Sequence, residues 1–94
     1  MKMCIIFRLE HEDGGGPYFY RDGVFRRGVV EFGDRGIHGC RSLKGLKEYF
    51  KYEDENVLRD CYMKIYLGRI IWERKREVIF EPIGKGLRIG RFRK

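Results

Sequence analysis

Leu43, Leu46 and Phe50 recur at i, i+3 and i+7 directly behind Ser42. That spacing draws one apolar stripe along a helix whose first-turn amides the serine hydroxyl can cap. The pattern predicts a helix over residues 43 to about 51. Gly45 inside it costs roughly 1 kcal/mol against alanine, so the helix must lean on packing rather than on intrinsic propensity. A second helical turn is predicted over 56–60, where Glu53, Asp54 and Glu55 put negative charge at the favourable N-terminal end. From Cys61 the period falls to two. Cys61, Met63, Ile65 and Leu67 share one face and Tyr62, Lys64 and Tyr66 the other, which predicts a half-buried strand closed by Gly68.

The same reading extends in both directions. Residues 3–10 carry Cys4, Ile5, Ile6, Phe7 and Leu9, too continuous an apolar run for a strand exposed along one face, so a central strand is predicted. Glu12-Asp13-Gly14-Gly15-Gly16-Pro17 stops it. Residues 18–20 and 24–32 read as a hairpin about Arg21-Asp22-Gly23. Gly33-Asp34-Arg35-Gly36 ends the second run, and residues 37–40 cross to the helix. Strand character returns at 70–72 and 77–80 around the charged tip Glu73-Arg74-Lys75-Arg76-Glu77, and Pro82 ends it. Residues 83–94 hold three glycines, five basic residues and no acid, with Leu87 and Ile89 alternating, which fits an edge strand or a basic tail. The expected architecture is α+β: a single domain over 1–82 in which a mainly antiparallel sheet of about five strands packs on one or two short helices, with 83–94 as a basic extension or edge strand. Leu46, Phe50, Leu58, Ile65 and Phe80 are the expected core.

Charge changes the picture of function. The 94 residues suffice for one modest core. Their net charge is +7, from 21 basic and 14 acidic residues. Residues 69–94 contain nine Lys or Arg and three Glu, a net of +6, so the first 68 residues carry only +1. A field of that sign attracts nucleic acid, nucleotides, anionic membrane or an acidic protein surface. The apolar run at 3–7 is too short for a signal segment and no stretch reaches 18 apolar residues, so a cytoplasmic protein without membrane contact is expected. Cys4, Cys40 and Cys61 fit neither a disulfide framework nor a zinc spacing and are expected as reduced thiols. Aromatic residues make up 15% of the chain. They exceed what so small a core hides and allow for homo-oligomerisation.

No catalytic or metal motif of diagnostic spacing occurs, and neither an enzyme nor a cofactor is expected. His11, Asp13 and the loop 14–17 could cradle an anion with Tyr18 stacking on a base, although the order is not that of a P-loop and a plain turn accounts for it. His38 near Cys40 reads as a polar turn residue beside a buried thiol. Glu48, Glu53, Asp54, Glu55 and Asp60 read as a solvated acidic surface. The strongest signal is the interleaving of aromatic with basic residues, the combination that single-stranded nucleic acid or a nucleotide requires for phosphate contact and base stacking. It marks Arg26, Arg27, Arg74, Lys75, Arg76, Lys85, Arg88, Arg91 and Arg93 as candidate anion-binding residues, with His11, Tyr18, Trp72 and Phe92 for stacking or pocket formation. The competing reading is a solvated charged surface.

His11 followed by Gly16-Pro17-Tyr18, then Gly39-Cys40, Ser42-Leu43-x-x-Leu46-x-x-Tyr49-Phe50 and Ile65-x-x-Gly68, resembles a group of small bacteriophage-encoded orphan proteins. These share an early histidine, a Gly-Pro-Tyr, a Cys-Gly turn and a Ser-Leu-x-x-Leu-x-x-Trp-Phe helix before a closing strand. Here the Gly-Cys order is reversed and the basic C-terminal segment is additional. The resemblance implies an accessory gene of the counter-defence kind: an anti-CRISPR-like inhibitor acting in the cytoplasm of the infected host, by stoichiometric binding to a host immune protein or ribonucleoprotein complex. A basic protein suits the covering of an acidic protein surface or the engagement of bound nucleic acid better than mimicry of DNA. The alternative expectation is a sponge for nucleic acid or a cyclic nucleotide messenger. A minority reading fits Arg21, Arg26, Arg27, Arg35 and Glu31 to an ADP-ribosyltransferase-like enzyme, for which the chain is short.

Overall fold

The computed structural model describes residues 3–12, 36–53, 55–75 and 77–93. In chain order the elements are β1 (Met3–Glu10), β2 (Ile37–Gly39), α1 (Leu43–Tyr49), α2 (Glu55–Leu58), β3 (Tyr62–Arg74) and β4 (Glu77–Arg91). The four strands form one antiparallel sheet in the order β1-β3-β4-β2. The fold is α+β as the pattern predicts, with four strands among the described residues rather than about five. The hairpin predicted over 18–32 lies outside them.

β1 occupies one end of that order instead of its centre. Its second neighbour comes from curvature: Phe7 and Cys40 exchange two backbone hydrogen bonds, N–H of Phe7 to O of Cys40 at 2.7 Å and N–H of Cys40 to O of Phe7 at 2.8 Å. The two ends of the sheet therefore touch, and the sheet curls toward a small barrel.

Most departures from the sequence pattern follow from that curl. Gly68 lies in mid-strand rather than at a strand end, because a Cβ there would sit 2.4 Å from the Phe80 ring. Pro82 lies inside β4, opposite Gly68 and beyond Phe80, the last β4 residue paired with β2. A missing N–H is tolerated on such a one-sided stretch. Residues 83–91 continue β4 against β3. Between Leu67↔Ile83 and Ile65↔Leu87 the register slips, and Gly84-Lys85-Gly86 loops outward. Gly86 is doubly required there, with φ at 74° and a Cβ that would meet the Tyr66 ring at 2.6 Å.

α1 begins where predicted, with the Ser42 hydroxyl accepting from the Gly45 amide at 2.9 Å, and ends at Tyr49 with Phe50 as its cap. α2 starts one residue early, at Glu55. The core has two parts. Leu9, Cys40, Leu46, Phe50, Leu58, Cys61 and Phe92 pack between helices and sheet, and Ile6, Tyr66, Val78 and Phe80 fill the inside of the curl. Leu46, Phe50, Leu58 and Phe80 are buried as expected, whereas Ile65 is only half-buried.

The two faces of β3 divide as predicted but are covered differently. Tyr66, on the supposed outer face, is buried in the curl, and Leu67, on the supposed inner face, is 40% exposed. α1 reaches only the Leu9 and Cys61 end of that apolar side. No helix among the described residues is long and apolar enough to cross a membrane.

Candidate nucleic-acid interface

Cross-strand register gathers charge at the open end of the β3–β4 hairpin. Arg8, Lys64 and Arg88 are direct partners across β1, β3 and β4, and Glu10, Tyr62 and Arg91 form the next row. On a regular strand Arg88 and Arg91, three positions apart, would point to opposite faces. The register shift between Met63 and Lys64 inserts one extra β4 residue, with Gly90 at φ 143°, and turns both arginines to one side. Their guanidiniums lie 3.8 and 5.4 Å from the centroid of the Tyr62 ring. Such cation–π contacts hold two like charges close together.

Beneath this surface is a buried ionic network. The Glu10 carboxylate accepts from Arg8 Nε at 2.8 Å and from the Tyr66 hydroxyl, and Lys64 Nζ lies 3.3 Å away. Arg8 also donates through Nη1 to the His38 carbonyl at 2.9 Å. Burial, followed by the bond to Glu10, pushes the Tyr66 hydroxyl pKa up. For Lys64 burial acts downward, but the Tyr66 hydroxyl and the Glu10 charge outweigh it, so its pKa rises and the ammonium stays charged. At the rim Arg88 Nη2 donates to Glu12 Oε1 at 2.8 Å. Among the described residues of these cross-strand rows and their rim, four cations, Arg8, Lys64, Arg88 and Arg91, thus face two carboxylates, Glu10 and Glu12. Lys85 on β4 and Arg93 just beyond its end add exposed cations.

The other candidates are distributed elsewhere. Trp72, Arg74 and Lys75 lie at the far end of the hairpin, where the Arg74 guanidinium sits 4.9 Å over the Trp72 ring and 4.0 Å from Glu77. Arg41 pairs bidentately with Glu73 beside them. Among the described residues of this end Glu73 answers Arg41 and Glu77 answers Arg74, Lys75 stands exposed at the tip, and the cations are spread along the turn rather than gathered over one ring. Phe92 is buried, edge-on to Phe50 at 6.2 Å, so its ring belongs to the core and offers no stacking face. His11 is half-buried with Nε2 3.6 Å from Cys61 Sγ. Tyr18, Arg26, Arg27 and Arg76 lie outside the described residues. Tyr62 and Lys64 were not among the candidates. The signal that marks them is the Tyr62-Lys64-Tyr66 alternation, the same interleaving of aromatic and basic residues singled out elsewhere in the chain.

A second polar cluster joins β2 and α1 to β4. His38 Nε2 lies 3.0 Å from Glu77 Oε1, the Tyr49 hydroxyl donates to the same oxygen at 3.1 Å, and the His38 and Tyr49 rings pack tilted at 43° with centroids 4.8 Å apart. The bond from His38 holds Glu77 below the usual carboxylate range. A depressed carboxylate stabilises the fold fully above its unfolded value of 4.5 and loses that contribution as pH falls through the folded value. Urea midpoints measured from pH 6 to pH 2.5 should therefore fall less steeply below pH 4.5 in Tyr49→Phe and His38→Gln than in the parent.

The adjoining cleft, of about 220 Å³, is lined by Cys40, Arg41, Ser42 and Glu73 among others. Burial pushes the Cys40 thiol up to about 12 and Cys61 to about 11, which removes both as nucleophiles near neutral pH. A thiol reagent at pH 8 should label the half-buried Cys4 in the native protein and reach Cys40 and Cys61 only after denaturation, as mass spectrometry of the labelled peptides would show. Among the described residues no three His, Cys, Asp or Glu are grouped to hold a metal ion.

No family model, no curated protein and no solved structure matches the chain. The functional reading rests on this geometry.

Proposed function

We propose that this protein is a non-enzymatic binder of single-stranded nucleic acid that takes its ligand at the Tyr62 end of the β3–β4 hairpin. The observation that carries the reading is the pair of guanidiniums, Arg88 and Arg91, gathered over one tyrosine by a β-bulge, with Lys64 in the same cross-strand row as Arg88. Cations held that closely meet successive phosphates, and the guanidinium planes with the Tyr62 ring offer flat surfaces to a base. In the counter-defence setting that the phage resemblance implies, such a surface engages nucleic acid carried by a host immune complex and occupies it stoichiometrically.

The test is a titration of fluorescent oligonucleotides, and of cyclic nucleotides beside them, at a series of salt concentrations. Arg88→Ala with Arg91→Ala should weaken oligonucleotide binding and flatten the slope of log affinity against log salt by about 1.4, since each single-strand phosphate contact contributes about 0.7. Tyr62→Leu should weaken it by about 1–3 kcal/mol, one base stack, at unchanged slope. Arg74→Ala with Lys75→Ala, at the far end of the hairpin from the Arg88 and Arg91 pair, should leave both quantities nearly unaltered. Absence of saturable binding at low salt would remove this reading and leave counter-defence through a protein interface as the alternative.

A further inference from the structure

The sheet face that α1 leaves bare carries six large apolar side chains, each between 40 and 65% exposed: Met3 and Ile5 on β1, Leu67 on β3, and Ile83, Leu87 and Ile89 on β4. Met3, Ile5, Leu67, Ile83 and Leu87 are contiguous by register, and Ile89 follows Leu87 at the bulge. Ile5, Leu67 and Ile83 form one cross-strand row, and Ile65↔Leu87 lies beside it. We infer that this face is a dimer interface on which a second copy of the chain packs sheet to sheet.

Area and charge both point to that occupant. At their fractional exposures the six side chains present on the order of 500–600 Å² of apolar surface, the upper end of what a monomer leaves open. A standard interface buries about 800 Å² per partner, and in homodimers about 65% of it is apolar, so the patch is the size that one such interface consumes. Among the described residues, Arg69 and Glu81 set one charge of each sign side by side at its rim. Arg69 lies opposite Met3 on one side and Glu81 on the other, 3.3 Å from the glutamate, with both side chains about two-fifths exposed. A two-fold axis sets residue i against j and j against i, so Arg69 of each copy can meet Glu81 of the other. Lys64, Arg88 and Arg91 project from the opposite face of the same strands, so pairing leaves the proposed nucleic-acid surface of each copy open.

Sedimentation velocity of the full chain across about 1–100 μM, a range suited to interfaces of this size, should show a concentration-dependent monomer–dimer equilibrium. Leu67→Lys and, separately, Leu87→Glu should each raise the dimer dissociation constant at least tenfold, with far-UV circular dichroism unchanged. Leu87 is the most exposed of the six, so its variant decides the matter if Leu67→Lys misfolds. Arg69→Glu should weaken the dimer and Arg69→Glu with Glu81→Arg should restore it. A wild-type protein that stays monomeric at the highest concentration overturns the inference. So does a dimer indifferent to Leu87→Glu and to the charge swap, because the contact then lies on another face. Oligonucleotide affinity per protomer, read at a concentration where Leu87→Glu is monomeric, should match the parent, which keeps failure of the dimer distinct from failure of the nucleic-acid reading.

Discussion

Replacing Phe80 with alanine should cost about 3–5 kcal/mol, out of roughly 5–15 kcal/mol available to a domain. The ring is fully buried, tilts against Tyr66 at 5.5 Å, and comes from a β4 residue paired on both sides, with Ile70 on β3 and Ile37 on β2. Two glycines are shaped around it: a Cβ at Gly68 would lie 2.4 Å from the ring and one at Gly39 would lie 2.9 Å from it. Neither position has a side chain that can swing into the vacated space, and three hydrogen-bonded strands resist closing over it, so the cavity term is retained in full. Leu46→Ala and Phe50→Ala, in the other half of the core, should cost about 2–5 kcal/mol each. The half-buried Ile65→Ala should cost clearly less. Urea midpoints at unchanged m-value measure all four; parental midpoints for both Phe80→Ala and Leu46→Ala would show that the curled sheet is not the folded state.

The elements whose determinants are local were legible in the sequence. Ser42, Leu43, Leu46 and Phe50 specify a capped amphipathic helix within nine residues, and the period-two run after Cys61 specifies which residues share a face. Periodicity does not say what covers each face. α1 is seven residues long, about 10 Å at 1.5 Å per residue, while β3 runs for thirteen. One helix therefore covers only the Cys61 end of the apolar side. The rest of the core forms on the other side, where Gly39, Gly68 and Gly86 give the rings of Phe80 and Tyr66 the room that side chains would deny. Read along the chain these glycines look like strand breakers, and Pro82 like a stop. Their meaning depends on a neighbour across the sheet.

The candidate site divides in the same way. That residues 83–93 are basic was plain from composition, and that Arg91-Phe92-Arg93 alternates out, in, out follows once the segment is extended, which is why Phe92 ends in the core. The approach of Arg88 to Arg91 was hidden, because it needs the extra residue at the bulge beside Gly90, and a bulge is a property of two strands in register. Tyr62 and Lys64 carry a legible aromatic and basic alternation, but what they meet was hidden for a related reason. Their partners Glu10 and Arg8 are some fifty positions away in the chain and one strand away in the fold.

That long-range network carries the other large expected effect. Glu10→Leu should destabilise the protein by about 3–5 kcal/mol, the usual cost of stranding a buried charge. Arg8 is the group stranded, since its side chain is 3% exposed and has no route to water, whereas that of Lys64, at 20%, can swing outward. Arg8→Met combined with Glu10→Leu should therefore recover most of the loss, because removing both charges together removes both desolvation penalties. Lys64→Met combined with Glu10→Leu should recover little. Tyr66→Phe, which takes one hydroxyl from the carboxylate and leaves the ring in place, should cost about 1.5–3 kcal/mol, the range for a hydrogen bond to a charged group. Urea denaturation of the singles and of both doubles gives the two coupling energies directly. A coupling for Arg8 with Glu10 no larger than that for Lys64 with Glu10 would mean that water reaches Arg8, and that the inside of the curl is open at its charged end.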